Sequence, residues 1–384
     1  MKNLVGSILT VTFVLLLAFQ TRAFAQPKYR NAAVQYLRAD VALHQAYPLP
    51  PQAWVKLEQA LEGPLSAEDE KLVAAASEAL TEFQHGAESK LCDWQMSAED
   101  GPFANTSHRG AVMELVAVSA LRARVRLRDG DHKGAIADLL AAYAAARHLS
   151  LDGSIASVLI GYKLEREVTA ALQNAIALLT PPELEALESG LAGLPQGSSM
   201  QNAITAEKLN RDDLTGIIGD AHTHDELVSR MAAGIPSLAN DRAKTQELVD
   251  GCGGSLAGVM NCIDKQRAFY EKWMANFGLP PETFQQQFDP DYARASTGNP
   301  ILERFTPMLS RFRWAEAYND TRRALLHAAV AVQRDGTKEL SRYPDPSNGR
   351  PFSYTQLANG FVLESALKEN GKPISLSVVS TQNK

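Results

Sequence analysis

The sequence lacks the motifs that identify the common hydrolases and nucleotide-binding enzymes. It contains no Gly-x-Ser-x-Gly elbow, no His-Glu-x-x-His pair and no phosphate loop completed by Lys-Ser or Lys-Thr. Its formal net charge is −6, with acidic and basic residues interspersed along the chain. This pattern gives no reason to expect nucleic acid or an anionic membrane as a partner. The sequence therefore indicates no catalytic residue, no cofactor and no specific activity, although missing motifs alone do not exclude an enzyme.

Cysteine is scarce, with three in 384 residues. Cys252 and Cys262 bracket a glycine-rich stretch at residues 251–258. In an oxidising compartment this spacing predicts a disulfide that closes a small loop. Cys92 is then the odd residue, either buried as a small apolar side chain or paired differently.

The first 25 residues have the form of a secretory signal peptide. A lysine at position 2 precedes an apolar run at residues 4–19, and small residues at 23 and 25 form the site that a signal peptidase reads. We expect cleavage between Ala25 and Gln26, which gives a periplasmic or extracellular protein. The run is short for a membrane span, so we expect no span after cleavage. An uncleaved N-terminal anchor is the alternative, and no cysteine follows the run to indicate a lipoprotein.

Two alanine-rich amphipathic helices are predicted at residues 111–128 and 133–148, separated by Asp129-Gly130-Asp131. The glycine can end the first helix in a left-handed conformation, and Asp131 can cap the second. So short a turn makes the two helices an antiparallel pair. Residues 121–128 also alternate as a half-buried strand would, but the flanking helix formers favour a helix.

The remaining chain is predicted to be mostly α-helical, as an irregular stack of antiparallel helix pairs with a small C-terminal β-meander. Turn signals at residues 358–360 and 370–371, followed by alternating apolar residues, predict the meander, which would cap the last helix. The predicted organisation is a signal peptide (1–25), an N-terminal helical half (26–192), a linker (193–199), a C-terminal helical half (200–343) and the β-tail (344–384).

Two groups of polar residues are candidate sites. Arg122 and Arg126 share one face of the first central helix, which predicts either an interaction surface for anionic groups or a solvated face whose stems cover apolar neighbours. His222, His224 and Asp225 form the second group, because His-x-His followed by an acid occurs in metallohydrolases. That ligand geometry needs a period of two, and the surrounding helix formers count against it.

The second central helix resembles a tetratricopeptide helix. Gly130-Asp131, Ala135-Ile136, Leu139 and Ala142 keep the spacing of the small and apolar positions of that repeat. No second copy occurs at a period of 34 residues, so we expect one repeat-like hairpin and no regular array.

The chain as a whole resembles a group of uncharacterised exported helical proteins of planctomycete and acidobacterial type. The matching residues are Asn31-Ala32-Ala33, Tyr36, Cys92-Asp93-Trp94, Asp138-Leu139, Ala146-Arg147-His148, Asp345-Pro346, Gly349, Pro351-Phe352, Tyr354, Gly360-Phe361-Val362-Leu363 and Ser365. The tail is also similar to the C-terminal β-segment of type II secretion pseudopilins. The resemblance implies an exported helical protein, and it carries no catalytic residues.

Three hypotheses follow for the function. The first is an exported non-enzymatic protein that binds another envelope or secreted protein through its helix pairs. The second is a metal-dependent hydrolase with its site at His222 and His224. The third is a purely structural protein without a ligand.

Overall fold

The computed structural model of the protein describes residues 31–50, 53–95, 106–235, 238–239, 241–306 and 308–380. The predicted signal peptide and its cleavage site at Ala25 and Gln26 lie outside these residues. The described chain is mostly α-helical and ends in a three-stranded antiparallel sheet, which confirms the predicted fold class. Among the described residues, no helix is both long enough and apolar enough to cross a lipid bilayer.

The helices and strands follow one another in an all-α body and a β-tail. The α-helices are α1 (Ala32–Ala46), α2 (Ala53–Glu62), α3 (Ala67–Ala75), α4 (Ser77–Ala87), α5 (Ser107–Arg128), α6 (His132–Leu149), α7 (Ile155–Ile176), α8 (Pro181–Ala192), α9 (Met200–Ile218), α10 (His224–Gly234), α11 (Arg242–Gly251), α12 (Leu256–Ala275), α13 (Pro281–Ser296), α14 (Pro300–Phe305) and α15 (Leu309–Asp335). Short 3-10 helices occupy Ser150–Asp152 and Thr337–Arg342. The strands are β1 (Ser353–Leu357), β2 (Gly360–Glu369) and β3 (Lys372–Val379).

The central helices α5 and α6 form the predicted antiparallel hairpin. Gly130 has a φ of 81°, in the left-handed region that ends α5. The Asp131 side chain caps α6 by accepting a hydrogen bond of 2.9 Å from the backbone N–H of Gly134. Residues 121–128 are helical, so the strand alternative is wrong. Most of α5 is buried because α2, α3 and α1 on one side and α6 and α7 on the other contact it.

Two helix starts show how local sequence fixes the ends of elements. Ser66 and Asp69 form a reciprocal capping box at the start of α3. Thr180 and Glu183 do the same at α8, where proline occupies the first helical position. Each box satisfies backbone N–H groups that have no partner within the helix. Both helices therefore begin directly after their capping residues, Ser66 and Thr180.

The β-tail is a meander in the order β1-β2-β3. Phe361 and Leu363 of β2 lie opposite Val378 and Leu376 of β3, and all four are buried. This inward face contacts α15, so the sheet covers the last helix as predicted. Asp345 holds the tail at its start, since its carboxylate accepts hydrogen bonds from the side chain of Ser365 and from the backbone after it.

Three clusters of buried side chains form the core. The largest joins α1 to α8 with α15 and the sheet, and it therefore crosses the predicted linker at 193–199. An aromatic cluster centred on Phe284 and Phe288 joins α12 and α13 to the start of α7. The third lies around Cys252 and Cys262 and includes α10 and α11. Helix α15 lies within the C-terminal half of the sequence. Its buried side chains nevertheless pack into the largest cluster, together with the N-terminal helices.

Candidate functional site

The arginines predicted to form an interaction surface bind a carboxylate inside the central hairpin. Arg122 is buried, and its Nε and Nη2 donate to the two oxygens of Asp138 over 2.9 and 2.5 Å. Arg126 Nη1 donates to Asp138 Oδ2 over 2.8 Å, and Gln84 Nε2 donates to the other oxygen over 2.8 Å. Arg122 therefore does not lie on an outward surface, which corrects that part of the prediction, while the side chain of Arg126 is 31% exposed. The physical reason is that Asp138 of α6 is fully buried and needs both positive charges.

The residues predicted as a metal site do not converge. His222 lies in the loop between α9 and α10, and His224 is the first residue of α10. The His224 Nε2 atom lies 2.8 Å from Asp250 Oδ1, whereas Asp225 accepts a hydrogen bond of 3.0 Å from Arg242. Helix α9 ends at Ile218 and α10 begins at His224, so this stretch contains a helix break. His224 and Asp225 thus face different partners, and the interpretation of His222, His224 and Asp225 as one ligand set is corrected.

Several residues of the resemblance pattern lie together where α1 contacts α6. They are Asn31, Tyr36, the segment at 92–94 and His148. The Asn31 side chain donates to the backbone oxygen of Asp93 over 2.8 Å and accepts from its N–H over 2.9 Å. Trp94 Nε1 donates to the backbone oxygen of His148 over 2.7 Å. The hydroxyl of Tyr36 is hydrogen-bonded to His148 Nδ1 at 2.8 Å. The segment at 92–94 is thereby fixed to both helices.

Cys92, Tyr36 and His148 of this contact are uncharged near neutral pH. Burial raises the pKa of Cys92 to about 12, so its thiol is not a nucleophile. Burial also raises the pKa of Tyr36 well above its ordinary value, and it lowers the pKa of His148 to about 4. A buried, neutral, hydrogen-bonded group of this kind holds structure and offers no activated nucleophile.

An ionic cluster at the start of α5 adjoins the contact between α1 and α6. The Trp94 ring stacks on His108, and His108 Nε2 lies 3.0 Å from the carboxylate of Asp152. Burial would raise the pKa of Asp152, but hydrogen bonds from His108 and two serines lower it to about 2. The Ser157 hydroxyl donates to Asp152 and not to the imidazole. The arrangement therefore differs from a Ser-His-Asp triad, in which the serine bonds to the histidine.

Helix α1 carries an exposed row of aliphatic side chains, which we call the α1 ridge. Val34, Leu37 and Val41 are 42%, 44% and 55% exposed, and their spacing places them on one side of the helix. The opposite side, which includes Tyr36 and Leu43, is buried. The residue types alone could not show that Leu37 and Val41 point away from the core.

A second feature of α1 also escaped the sequence interpretation. Asp40 and His44 approach Glu114 of α5, with His44 Nε2 3.5 Å from Asp40 Oδ1 and 3.1 Å from Glu114 Oε2. Burial raises the pKa of both carboxyl groups. The spacing of Asp40 and His44 could have suggested the pair, but nothing in the sequence connects it to a glutamate 70 residues from His44.

Comparison of the chain with protein-family models, with curated proteins and with solved structures found no match. The α1 ridge and the cluster of Asp40, His44 and Glu114 are the features of the described chain whose geometry suits binding. The ridge and two of the three cluster residues, Asp40 and His44, lie on α1.

Proposed function

We propose that this protein is an exported, non-enzymatic binding module, and that its α1 ridge receives an amphipathic helix of another exported protein. The observation that carries the proposal is that α1 is apolar on two opposite sides, while the described chain covers only one of them. A helix with apolar rows on two opposite sides normally has both rows covered. The exposed aliphatic row on α1 therefore indicates a surface that a partner covers.

The geometry of the ridge favours a helix as the partner. Its three side chains form a single row with helical spacing, which matches the grooves of a second helix better than a flat strand. Arg38 flanks the row on one side and His44 on the other. A partner helix with an aliphatic stripe and an acidic residue facing Arg38 would complement this surface.

The position of α1 in the stack supports the same proposal. Stacked helix pairs bury apolar faces against their neighbours, and terminal units need a polar outer face to remain soluble alone. The hairpin of α5 and α6 packs against several other helices, and α1 contacts α5. An apolar outer face on α1 fits a stack that continues into another protein.

Photo-crosslinking in the native envelope tests the proposal. A photoreactive amino acid at Leu37 should give a crosslink to one exported protein, and the crosslinked peptide should come from an amphipathic helix. The charge-introducing variant Val41→Asp should reduce this crosslink at least fivefold while the circular dichroism of the purified protein is unchanged. Because Val41 is 55% exposed, the substitution leaves the core intact.

The same photoreactive residue at Leu357 on β1 is the matched control, because Leu357 is also an exposed aliphatic position. It should not crosslink to the same protein. Crosslinking only between copies of this chain would replace the proposed partner by a homodimer. A complete absence of specific crosslinks at Leu37 would favour the purely structural hypothesis. The hydrolase hypothesis would instead be supported by a stoichiometric metal ion that is lost in a His222→Ala, His224→Ala variant.

Export would also allow the predicted disulfide between Cys252 and Cys262. The two residues are thiols in this structure, both buried, with a hydrogen bond between their side chains. We expect the periplasmic protein to contain the disulfide and to lose about 2–3 kcal/mol of unfolding free energy when it is reduced. Denaturant unfolding with and without reductant measures this difference.

The double variant Cys252→Ser, Cys262→Ser should show no dependence on reductant, whereas Cys92→Ala should keep it. Cys92 belongs to a different core cluster from the pair. Titration of three free thiols in protein purified from the periplasm without reductant would disprove the disulfide.

A further inference from the structure

Asp40, His44 and Glu114 form a mixed imidazole and carboxylate cluster that neither the fold nor the proposed binding surface requires. One ligand atom from each residue lies within 4.8 Å of the other two, and no other group of three such residues is this close in the described ranges. Asp40 and His44 are one helical turn apart on α1, so their side chains share a face. Glu114 reaches them from the middle of α5.

Two of the three separations between these atoms are close to those between ligands of a small metal ion. His44 Nε2 lies 3.1 Å from Glu114 Oε2 and 3.5 Å from Asp40 Oδ1. Two ligands bound tetrahedrally to zinc at about 2.0–2.2 Å are roughly 3.3–3.6 Å apart. The side chains are therefore close to a chelating arrangement without movement of either helix.

The charges at the cluster are also unbalanced. No arginine or lysine of the described chain forms an ion pair with Asp40 or Glu114, and His44 is the only basic group that contacts them. Glu114 is only 7% exposed, and its carboxylate lies within 4.8 Å of the carboxylate of Asp40. A divalent cation would compensate both carboxylates, which a single histidine cannot do.

We propose that Asp40, His44 and Glu114 bind one divalent transition-metal ion, best matched by Zn²⁺, and that the ion ties α1 to α5. The site is a proposal independent of the α1 ridge. Imidazole with two carboxylates is a ligand set for zinc, whereas Ca²⁺ and Mg²⁺ need more oxygen ligands. The side chain of His44 is 40% exposed, so solvent reaches the rim of the site and can supply the remaining ligand.

Zinc titration of the tag-free, metal-stripped mature protein tests the site. Competition with a chromophoric zinc chelator at pH 7.5 should give one equivalent of bound Zn²⁺, and His44→Ala should weaken binding at least tenfold. The variant His224→Ala is the matched control, because this histidine also contacts a carboxylate but only one, that of Asp250. It should bind zinc as the wild type does. Neither Ca²⁺ nor Mg²⁺ should compete at millimolar concentration.

X-ray absorption of the zinc-loaded protein gives a readout that does not depend on affinity. The expected first shell contains one imidazole nitrogen and at least two oxygens, with no sulfur. Glu114→Gln and Asp40→Asn should each weaken zinc binding. If Glu114→Gln destabilises the core, Asp40→Asn still tests the site, because Asp40 is partly exposed and its substitution leaves the fold intact. A wild type that binds no zinc, equal affinity in His44→Ala, or a sulfur ligand would each overturn the proposal.

Discussion

Replacing Asp138 by alanine should lower the free energy of unfolding by about 3–5 kcal/mol. The Asp138 carboxylate is fully buried and receives hydrogen bonds from Arg122, Arg126 and Gln84. Its removal leaves the buried guanidinium of Arg122 without a counter-charge, and uncompensated buried charge is among the most costly defects in a folded protein. Denaturant unfolding followed by circular dichroism measures the loss.

Two further variants separate the charge effect from a simple loss of packing. Asp129→Ala removes an exposed carboxylate that pairs with Arg128, and we expect no resolved change in stability. The double variant Arg122→Leu, Asp138→Leu removes both buried charges and should recover part of the loss. If Asp138→Ala is as stable as the wild type, the hairpin does not depend on this ion pair.

The protein should lose stability as the pH falls from 6.5 to about 4 because His148 is buried in its neutral form. In the unfolded chain its pKa is near 6.5, while burial lowers it to about 4 in the fold. Between these values the unfolded chain binds a proton that the folded chain excludes, so acidification favours unfolding. A pKa lowered by this much contributes on the order of 3 kcal/mol to the free energy of unfolding at neutral pH. This contribution is lost progressively as the pH falls from 6.5 to about 4.

The comparison of unfolding free energies at pH 7 and pH 4 checks this expectation. His148→Gln should be less stable at pH 7, since the hydroxyl of Tyr36 loses its imidazole partner, and should lose less on acidification. His132→Gln is the control, because His132 is partly exposed beside Glu183 and should keep the wild-type pH dependence. The same loss in wild type and His148→Gln would show that other groups cause it.

The helices, their ends and the β-meander were predictable because their signals are local. Gly130 and Asp131 end one helix and start the next through contacts within a few residues. The capping box of Thr180 and Glu183 spans three positions. Turns at 358–360 and 370–371 place the strands to within about two residues of their observed bounds. The tetratricopeptide-like character of the hairpin and the export of the protein stay predictions.

The candidate sites were less predictable because helical spacing identifies faces without showing what covers them. Arg122 and Arg126 were correctly placed on one helix, but whether they point to solvent depends on Asp138 of the facing helix. His222 and His224 are close in sequence, but His224 is hydrogen-bonded to Asp250, which lies 26 residues further along the chain.

The sequence by itself determined the secondary structure, the fold class and the turn positions, because period, caps and turn residues act over one or two helical turns. Only the tertiary structure decided that one side of α1 is left open, that the 92–94 segment is fixed to His148, and that Glu114 completes a cluster with Asp40 and His44. The hydrogen bond from Trp94 to His148 joins residues 54 positions apart, and the contact between His44 and Glu114 joins residues 70 positions apart. Their free energy depends on how whole helices pack, which no local pattern specifies.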